Sequence, residues 1–404
     1  MSKPLSATTI SIVKATVPAL AAHGPAITVE MYKRLFQNKE VRSLFNQANQ
    51  GEHGAQVNAL AMAILGYARN IENLGALAPV VERVAHKHVG FNILPEHYPY
   101  VAEALLGAIA HVLGPAATPE ILAAWGEAYW FLANILKGRE KSLRDDLLAA
   151  EGGWTGWRDF VVVAKTRESA VITSFLLKPA DGGKVVQHKP GQYLTFTLSP
   201  DENTILKRNY SISSGPNQDS YRISVKREPA SQGGSAYLHD HVMEGSLVKV
   251  APPSGDFFLT SNQNRPVILL SAGVGLTPMM SMLEAITSEK ANFSTYYIHA
   301  ALNSDTHAMR ERVKALAQQH SNTKTTIFYS TPLAQDVPGS SHDITGFINI
   351  DWLQANTPLL DADVYLCGPR PFLRNLVADL KEHGIASDRI HYEYFGPADE
   401  QLAA

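Results

Sequence analysis

The spacing of apolar residues changes twice along the chain, and this change constrains the fold more than any other feature. From residue 1 to about 148 the apolar residues recur at helical spacing, in runs such as QVNALAMAILGYARNIENL, LAPVVERVAHKHV and YPYVAEALLGAIAHVL. Thr118-Pro119 opens another such run, TPEILAAWGEAYWFLANILKGREKSLRDDLL. The pattern predicts an all-helical domain over residues 1–148, followed by a glycine-rich linker over residues 149–156.

Two further patterns follow the linker. The short β-branched and aromatic runs FVVVAKT, AVITSFLLK, QYLTFTL, NYSISS, YRISVKR, LVKVAPP and DFFLT predict strands of an antiparallel β-barrel over residues 157–262. From residue 265 to 404 strands, glycine loops and helices alternate, as in PVILLSAGVG, TPMMSMLEAI, STYYIHAAL and DVYLCG. That alternation is typical of a doubly wound parallel sheet. We therefore expect a multidomain chain: all-α, then β-barrel, then α/β.

Composition excludes several classes of protein. Of the 404 residues 45% are apolar and 18% charged, with a formal net charge of −3, which favours folded domains and argues against general nucleic-acid binding. A single cysteine, Cys367, excludes an internal disulfide framework, a cysteine-ligated zinc site and a four-cysteine iron–sulfur cluster. The N-terminus lacks a signal pattern, and no apolar run reaches membrane-spanning length. We expect a cytoplasmic protein with no obligatory membrane or nucleic-acid partner.

The stretch LSAGVGLTPMM carries a glycine loop between an apolar strand and a helix. Gly273 and Gly275 would let backbone N–H groups approach a phosphate, and the helix that begins near Pro278 would add partial positive charge. The pattern is G-x-G-x-x-P rather than G-x-G-x-x-G. Alone it fits an ordinary tight turn as well as a nucleotide site.

Further motifs occur in a fixed order around this loop. PGQY (190–193) and RNYS (208–211) precede it, while CGP (367–369) and YEYFGP (392–397) follow it. In this set the chain resembles the ferredoxin–NADP reductase superfamily. The resemblance implies that RNYS holds FAD, that the glycine loop and CGP hold NAD(P)H, and that a C-terminal aromatic residue stacks near the flavin ring.

The resemblance assigns a set of residues to the two cofactors. Arg208 would pair with a flavin phosphate, Tyr210 would pack on the isoalloxazine and Ser211 would hydrogen-bond the ring. Ser235 would contact the pyrophosphate, although Gln232 stands where relatives usually have glycine. The full set is Tyr193, Arg208, Asn209, Tyr210, Ser211, Ser235, Gly273, Val274, Gly275, Leu276, Thr277, Pro278, Cys367, Gly368, Pro369, Glu393, Phe395 and Gly396. Cys367 is expected near the nicotinamide as a small buried residue.

Two histidines occur close together in VERVAHKHVGF, residues 81–91. Counting back four and seven residues from His88 reaches Val84 and Val81, so His88 continues an apolar helical stripe. His86 follows Glu82 by one turn and is expected to face water. A histidine on an apolar face is more often a core residue than a metal ligand.

Polar side chains on two other helical faces favour a ligand role. Gln56 opens an apolar face that continues through Leu60, and Glu140 ends the face that begins at Tyr129. A carboxylate in such a position requires a partner. A haem pocket between these faces would explain both, and it would accept the flavin electrons that no iron–sulfur cluster on this chain can take.

The helical domain resembles a globin, and over its full length the chain resembles the flavohaemoglobins. The matching stretches include KATVP, MYKRLF, LFNQANQ, NIENL, KHVGF, PEHYPYV, AWGEAY, GGWTGWRDF, YRISVKRE and IHYEYFGP. The resemblance implies that haem b binds beside FAD and NAD(P)H, with His88 as the ligand of the iron. Tyr98 and Glu140 would hydrogen-bond this histidine and push electron density towards the iron, which favours oxygen activation over storage.

The resemblance also implies a distal side. Tyr32 and Gln56 would hydrogen-bond dioxygen, Leu60 would crowd the pocket and Phe45 would pack on the porphyrin. Lys87 would lie at the haem–flavin junction. Two departures can reshape the pocket or its access. Trp130 follows AWGEAY where a small residue is expected, and QGEHGAQ (50–56) differs in length from some relatives.

The implied activity is that of a nitric oxide dioxygenase, which converts NO and O2 to nitrate at the expense of NAD(P)H. We expect a monomer that needs no partner protein. A general NAD(P)H-dependent reductase and a haem-based sensor or carrier of O2 or NO are the alternatives. A fused reductase argues against simple carriage, and the pairing of Tyr98 with Glu140 argues against incidental haem. Both NADH and NADPH remain open as the electron donor.

Overall fold

The computed structural model describes most of the chain as two compact units. The described residues are 4–44, 55–201, 204–228, 233–260 and 265–396. The described residues up to Trp157, together with Ser199–Lys207, form the helical unit; Arg158–Leu198 and Arg208–Gly396 form the reductase unit.

Helices make up the first unit up to Ala149, as the apolar spacing predicts. They are α1 (Ala7–Ala15), α2 (Val17–Leu35), α3 (Lys39–Ser43), α4 (Ala55–Arg69), α5 (Ala78–Gly90), α6 (Tyr98–Leu113) and α7 (Pro119–Ala149). Thr118 caps α7 by accepting a hydrogen bond from the Ile121 amide, and Pro119 fills the first turn, where no amide proton is needed.

The core of the helical unit lies where α2 packs against α4 and α6. Val13, Ile27 and Ala108 are almost fully buried there, and Trp125 of α7 closes the cluster. No single described helix is long and apolar enough to span a bilayer; α1 and α2 meet that criterion only as a pair bent by 67°.

The reductase unit begins with a six-stranded sheet, of which only the ends of two strands, within Ser199–Lys207, are grouped with the helical unit. Its strands are β1 (Arg158–Arg167), β2 (Ile172–Pro179), β3 (Tyr193–Asp201), β4 (Thr204–Ser211), β5 (Tyr221–Lys226) and β6 (Leu247–Val250), in the order β4-β3-β6-β1-β2-β5. The pairings β1–β2, β1–β6, β2–β5 and β3–β6 are antiparallel. One short helix, α8 (Gly234–His241), lies between β5 and β6. The predicted antiparallel β-barrel is thereby confirmed.

The expected strand DFFLT is wrong. Residues 256–260 contain no strand, and Gly255 turns the chain with φ of +117° just before them. Phe257 is buried, but it packs against the Tyr365 ring, with centroids 6.0 Å apart, instead of joining the barrel ladder. The apolar residues of DFFLT therefore pack on the neighbouring α/β lobe and do not pair as a strand.

The rest of the reductase unit is a parallel sheet with helices. Its elements are β7 (Val267–Ala272), α9 (Leu276–Ser288), β8 (Thr295–Ala301), α10 (Arg310–Gln319), β9 (Thr323–Tyr329), β10 (Ile344–Thr345), α11 (Ile350–Asn356), β11 (Asp363–Cys367), α12 (Arg370–Glu382) and β12 (Ile390–Glu393). The strand order is β10-β9-β8-β7-β11-β12, and every pairing is parallel. The predicted doubly wound sheet is confirmed.

The path of the chain through this sheet locates a ligand site. From β7 the chain moves outward to β8, β9 and β10, then returns to place β11 on the other side of β7. Ligands of open α/β sheets bind beyond the carboxyl ends of the strands at such a switch point. The glycine loop follows β7 and the CGP segment follows β11, so both lie at this edge.

Candidate active site

A hydrogen-bonded trio joins α5, α6 and α7 in the helical unit. Nδ1 of His88 lies 2.7 Å from Oε1 of Glu140 and 3.1 Å from the hydroxyl oxygen of Tyr98. The Tyr98 hydroxyl donates to the same Glu140 oxygen at 2.5 Å. Glu140 is fully buried and Tyr98 nearly so. The structure thus brings together three residues that the sequence places 10 and 42 positions apart.

Charge in this trio is fixed by its neighbours. Burial acts to raise the pKa of Glu140, but hydrogen bonds from His88 and Tyr98 and the charge of Arg144 outweigh it and hold that pKa below its ordinary value. Burial and the adjacent carboxylate raise the pKa of Tyr98. Glu140 is therefore ionised and Tyr98 is a protonated donor. Because an ionised carboxylate only accepts hydrogen bonds, Nδ1 of His88 is the donor to Glu140, and in a neutral imidazole with this tautomer Nε2 has the lone pair.

The donor set around His88 fits haem better than a bare metal ion. Among the described residues, no group of three or more His, Cys, Asp or Glu side chains is arranged to hold a metal ion. A haem iron needs only one axial histidine from the protein, because the porphyrin supplies the equatorial nitrogens. Apolar side chains surround the trio, and Val81, Val84 and Ile93 pack against Leu136. A single available imidazole nitrogen in apolar surroundings matches that requirement.

The expectation that His86 faces water is wrong. Its exposed fraction is 9%, and Nε2 lies 3.2 Å from Oε1 of Glu82. Arg139 of α7 donates to both Glu82 oxygens at 2.7 Å. Because α7 lies along this face of α5, the polar residue one turn before His86 marks an ion pair between helices and not solvent.

The distal residues are only partly described. Tyr32 of α2 is buried and stacks on Phe36, with ring centroids 5.3 Å apart. Burial raises the pKa of Tyr32 to about 12, so it remains a hydroxyl donor at neutral pH. Leu60 of α4 packs against the helical core. Phe45 and the side chain of Gln56 lie outside the described residues.

Lys87 and Trp130 occupy peripheral positions in the helical unit. Lys87 is half-buried near the end of α5. Trp130 is 37% exposed and meets the Tyr129 ring edge-on, at 5.3 Å between centroids. Nζ of Lys137 lies 5.3 Å from the centre of the Trp130 ring. The departure at Trp130 is therefore accommodated on the surface of α7.

The flavin motif lies at the end of β4 in the reductase unit. Arg208 and Tyr210 are half-buried there, Ser211 is buried and Asn209 is exposed. A Cβ at Gly234, the first residue of α8, would lie 2.7 Å from Cγ of Arg208 and 3.0 Å from the Tyr210 hydroxyl. The N-terminus of α8 thus lies directly on the motif, and an arginine beside a helix N-terminus is suited to a phosphate group.

Other predicted flavin residues surround this point. The hydroxyl of Tyr193, on β3, is buried with no hydrogen-bond partner among the residues described. An orphaned buried hydroxyl of this kind is suited to a polar atom of a bound ring. Oγ of Ser235, in the first turn of α8, lies 3.4 Å from the Glu228 amide. Gln232 lies outside the described residues.

Backbone contact joins the two segments predicted to hold the nucleotide. A Cβ at Gly275 would lie 2.1 Å from the carbonyl oxygen of Cys367 and 2.7 Å from the amide nitrogen of Gly368, so the glycine loop rests on the CGP segment. Gly273 has φ of +55°, a conformation that favours glycine. The Thr277 hydroxyl donates to the Val274 carbonyl at 3.0 Å. The remaining predicted residues, Leu276, Pro278 and Pro369, form the starts of α9 and α12.

The C-terminal segment reaches the same edge of the sheet. Cys367 and Glu393 are paired in register where β11 and β12 end. Cys367 is fully buried, and burial together with the Glu393 charge raises the pKa of its thiol well above the ordinary value. It is therefore a buried thiol and not a thiolate nucleophile. Phe395 is 45% exposed, and Gly396 is the last residue described.

Two residues that support the trio were not anticipated. Nη1 of Arg144 lies 3.7 Å from Oε2 of Glu140. The Tyr129 hydroxyl donates to the Tyr98 carbonyl at 2.7 Å. Helical spacing could have identified both, since Arg144 follows Glu140 by one turn and Tyr129 shares its face of α7.

Comparison with known proteins agrees with both halves of this arrangement. The family model described as Globin matches residues 29–136, and the one described as Oxidoreductase NAD-binding domain matches residues 269–377. A solved flavohemoglobin from Malassezia yamatoensis, with bound FAD and heme, is 27% identical with a TM-score of 0.87, covering 98% of this chain and 100% of that one.

Sequence relatives extend the agreement along the chain. The FAD/NAD-binding domain of nitric oxide dioxygenase from Vibrio cholerae O1 biovar El Tor is 39% identical with a TM-score of 0.54, covering 59% of this chain and 99% of that one. A protein named flavohemoprotein from Bacillus thuringiensis is 44% identical over 98% of this chain and 99% of its own length. Another, from Xylella fastidiosa (strain 9a5c), is 53% identical over 100% of both chains. The chain accordingly belongs to the flavohemoprotein family.

Proposed function

We propose that this flavohemoprotein is an NAD(P)H-dependent nitric oxide dioxygenase that carries haem b and FAD. Two NO and two O2 become two nitrate ions while one NAD(P)H is oxidised to NAD(P)+ and a proton. The observation that carries the proposal is the trio of His88, Tyr98 and Glu140. In it an ionised buried carboxylate accepts a hydrogen bond from Nδ1 of the histidine, and the other imidazole nitrogen is left to bind an iron.

The proximal residues favour oxygen activation over carriage. Haem b held by His88 would supply the iron at which dioxygen and nitric oxide combine. Glu140 keeps the proton on Nδ1 of His88 and makes Nε2 a stronger donor, and Tyr98 fixes the carboxylate through its own hydrogen bond. For the distal side that the resemblance implies, Tyr32 provides a buried, protonated hydroxyl suited to donating to a bound diatomic ligand.

The reductase unit would deliver electrons within the same chain. Arg208, Tyr210 and Ser211 would hold FAD, and the glycine loop would hold NAD(P)H; a flavin supplies the conversion of a two-electron hydride donor into single electrons. The V. cholerae relative, whose name includes nitric oxide dioxygenase, matches this portion at 39% identity. Because the chain also has a globin domain, no separate electron-transfer partner is needed, and we expect the enzyme to act in the cytoplasm.

An aerobic assay tests the proposal. Purified protein reconstituted with haem and FAD is supplied with NADH, or NADPH in parallel, and nitric oxide loss is followed at an electrode while nitrate is quantified. We expect rapid consumption that yields nitrate and is abolished in His88→Ala. Glu140→Gln and Tyr98→Phe should each lower the rate about tenfold to hundredfold, the usual effect of losing a group that orients a metal ligand.

Tyr100→Phe is the matched control, because Tyr100 lies on α6 only two residues from Tyr98 but is 43% exposed. Its rate should equal that of the wild type. NAD(P)H oxidation that survives His88→Ala without faster nitric oxide loss would instead identify a general flavin reductase. Tight nitric oxide binding without turnover would identify a sensor or carrier.

A further inference from the structure

Helix α9 holds the short loop that follows the flavin motif. Ser214 lies three residues after Ser211, the last residue of that motif, and its carbonyl accepts a hydrogen bond from the Ser281 hydroxyl at 2.8 Å. Nε2 of His188 lies 3.0 Å from the same carbonyl and 3.0 Å from Oγ of Ser281. Ser281 and His188 are both buried. The loop is thus hydrogen-bonded to the α/β lobe within the reductase unit.

Glu284 makes the second part of this contact, one turn further along α9. Oε2 of Glu284 accepts a hydrogen bond from the Gly215 amide at 2.7 Å, and Oε1 accepts one from Nη2 of Arg222, on β5, at 2.8 Å. The same guanidinium donates to the Ser213 carbonyl. Burial acts to raise the pKa of Glu284, but the Arg222 charge and the Gly215 amide hold it below its ordinary value, so the carboxylate is ionised.

Close packing accompanies these hydrogen bonds. A Cβ at Gly215 would lie 3.0 Å from Cβ of Glu284, and a Cβ at Gly191 would lie 2.7 Å from Cε of Met282. Gly191 belongs to the PGQY motif and has φ of +113°. One helix therefore packs closely on both stretches of the barrel that carry the predicted flavin motifs, at two glycines.

We infer that Glu284 is a positioning residue for hydride transfer, which fixes the distance between the nucleotide loop and the flavin motif. The inference rests on one step of the proposed function, the reduction of FAD by NAD(P)H, and not on the reaction of nitric oxide. Helix α9 begins at Leu276, directly after the glycine loop, so Glu284 lies about 12 Å along the helix at 1.5 Å per residue. The helix is a rigid spacer with the nucleotide loop at one end and the flavin-side loop fixed along its length.

Hydride transfer is sensitive to such a spacer. The reacting atoms must approach to about 3–3.5 Å, and a misplacement of about 1 Å from a distant change can slow a reaction about a hundredfold. Glu284 does not lie on the glycine loop itself, so losing it should alter the approach of the two rings more than the binding of the nucleotide. The inference therefore predicts a slower limiting rate with little change in affinity.

The test is anaerobic stopped-flow mixing of the haem- and FAD-loaded protein with NADH, following the bleaching of flavin absorbance over a range of NADH concentrations. We expect Glu284→Ala to lower the limiting rate constant about tenfold to hundredfold, with the NADH dissociation constant within about threefold of wild type. Glu284→Gln keeps the size and one acceptor oxygen, and should restore part of the rate. It also serves as the informative variant if Glu284→Ala loses flavin.

Arg312→Ala is the matched control. Nε of Arg312 lies 3.0 Å from Oε1 of Glu284, but this residue lies on α10 and its side chain is 54% exposed, so its loss leaves the contact with the barrel intact. It should bleach at the wild-type rate. Wild-type bleaching in Glu284→Ala and Glu284→Gln, or an equal slowing in Arg312→Ala, would overturn the inference. Normal bleaching in a wild-type protein that consumes no nitric oxide would end the proposed function and leave the inference standing.

Discussion

The helical unit and the reductase unit prepare their cofactor sites by opposite means. Around His88 the site depends on side chains, with a buried carboxylate and a buried phenol that fix one imidazole. At the edge of the parallel sheet the site depends on the absence of a side chain, because Gly275 lies against the Cys367 carbonyl with no room for a Cβ. The first design fixes protonation and the second gives a ligand access to backbone groups.

The two units also differ in the charge of their buried titratable groups. Glu140 is a buried ion that is stabilised by hydrogen bonds and by Arg144. The reductase unit holds a comparable ionised carboxylate, Glu284, and in addition it buries histidines in their neutral form. Burial lowers the pKa of His188 and of His307 to about 4, and that of His299 well below its ordinary value. Loss of a charged partner should therefore matter in both units, whereas sensitivity to added volume and to acid is expected mainly in the reductase unit.

Gly275→Ala should have the largest effect. The new Cβ would lie 2.1 Å from the Cys367 carbonyl oxygen, which is backbone and cannot move aside. The glycine loop must shift away from the CGP segment, so we expect NADH-driven flavin reduction to fall at least about a hundredfold. Stopped-flow flavin bleaching measures this, and dithionite reduction of the same variant shows that the flavin is present.

Gly138→Ala on α7 is the matched substitution in the helical unit. Its added Cβ would meet nothing within 4 Å, and the residue lies within a regular helix. Alanine should therefore stabilise the helix by about 0.5–1 kcal/mol, measured by urea unfolding of the haem-loaded protein. If the two glycines tolerated alanine equally, the contrast between backbone and side-chain sites would fail.

Removal of the buried charge should have the next largest effect. Glu140→Leu leaves the His88 and Tyr98 donors without their acceptor and leaves Arg144 without its ion pair. Breaking a buried charged pair typically costs about 3–5 kcal/mol of unfolding free energy. Urea unfolding followed by haem absorbance gives the value. Glu140→Gln should cost less than Glu140→Leu, since it retains an acceptor oxygen, but it still loses the charge; a cost near zero for Glu140→Gln would argue against an ionised Glu140.

The period of apolar residues was sufficient to predict the order of the three folds, because each fold class buries its faces at its own spacing. The motifs proposed for flavin and nucleotide can also be named from the sequence, since each is a short continuous stretch, at Arg208–Ser211 and Gly273–Gly275; their roles stay predictions. Contacts between elements could not be predicted from the sequence. Counting along α5 could not reveal that Arg139 of α7 pairs with Glu82, the partner of His86, and Glu284 resembles an ordinary surface residue until Arg222 is seen beside it.

Acid should weaken the reductase unit through its neutral histidines. His188 has its pKa lowered to about 4, whereas the unfolded chain titrates near 6.5. As pH falls below 6.5 the unfolded state takes up a proton that the folded state excludes, so the free energy of unfolding declines until about pH 4. The full contribution of His188 is about 3 kcal/mol at 1.36 kcal/mol per pKa unit.

Urea unfolding is followed by the fluorescence of the released flavin at several pH values between 7 and 4.5. The free energies of unfolding measure this decline. His188→Gln removes the titrating group and should flatten the curve, while its stability at pH 7 falls because the amide only partly replaces the hydrogen bonds to Ser214 and Ser281. An unchanged slope in this variant would mean that His188 is not excluded from protonation in the folded protein.

Trp130→Ala should have the smallest effect, although the sequence suggested a change in the haem pocket. Trp130 is 37% exposed, and its contacts are the edge of the Tyr129 ring and the Lys137 ammonium. A surface aromatic contact and a partly exposed cation–π pair together contribute about 1 kcal/mol, and the haem absorbance spectrum should not shift. Tyr129→Phe is the informative comparison, because it removes a buried hydroxyl that donates to the Tyr98 carbonyl at 2.7 Å. A larger shift of the haem spectrum for Trp130→Ala than for Tyr129→Phe would place Trp130 in the haem pocket. The haem site would then depend on a side chain at the surface of the helical unit as well as on buried ones.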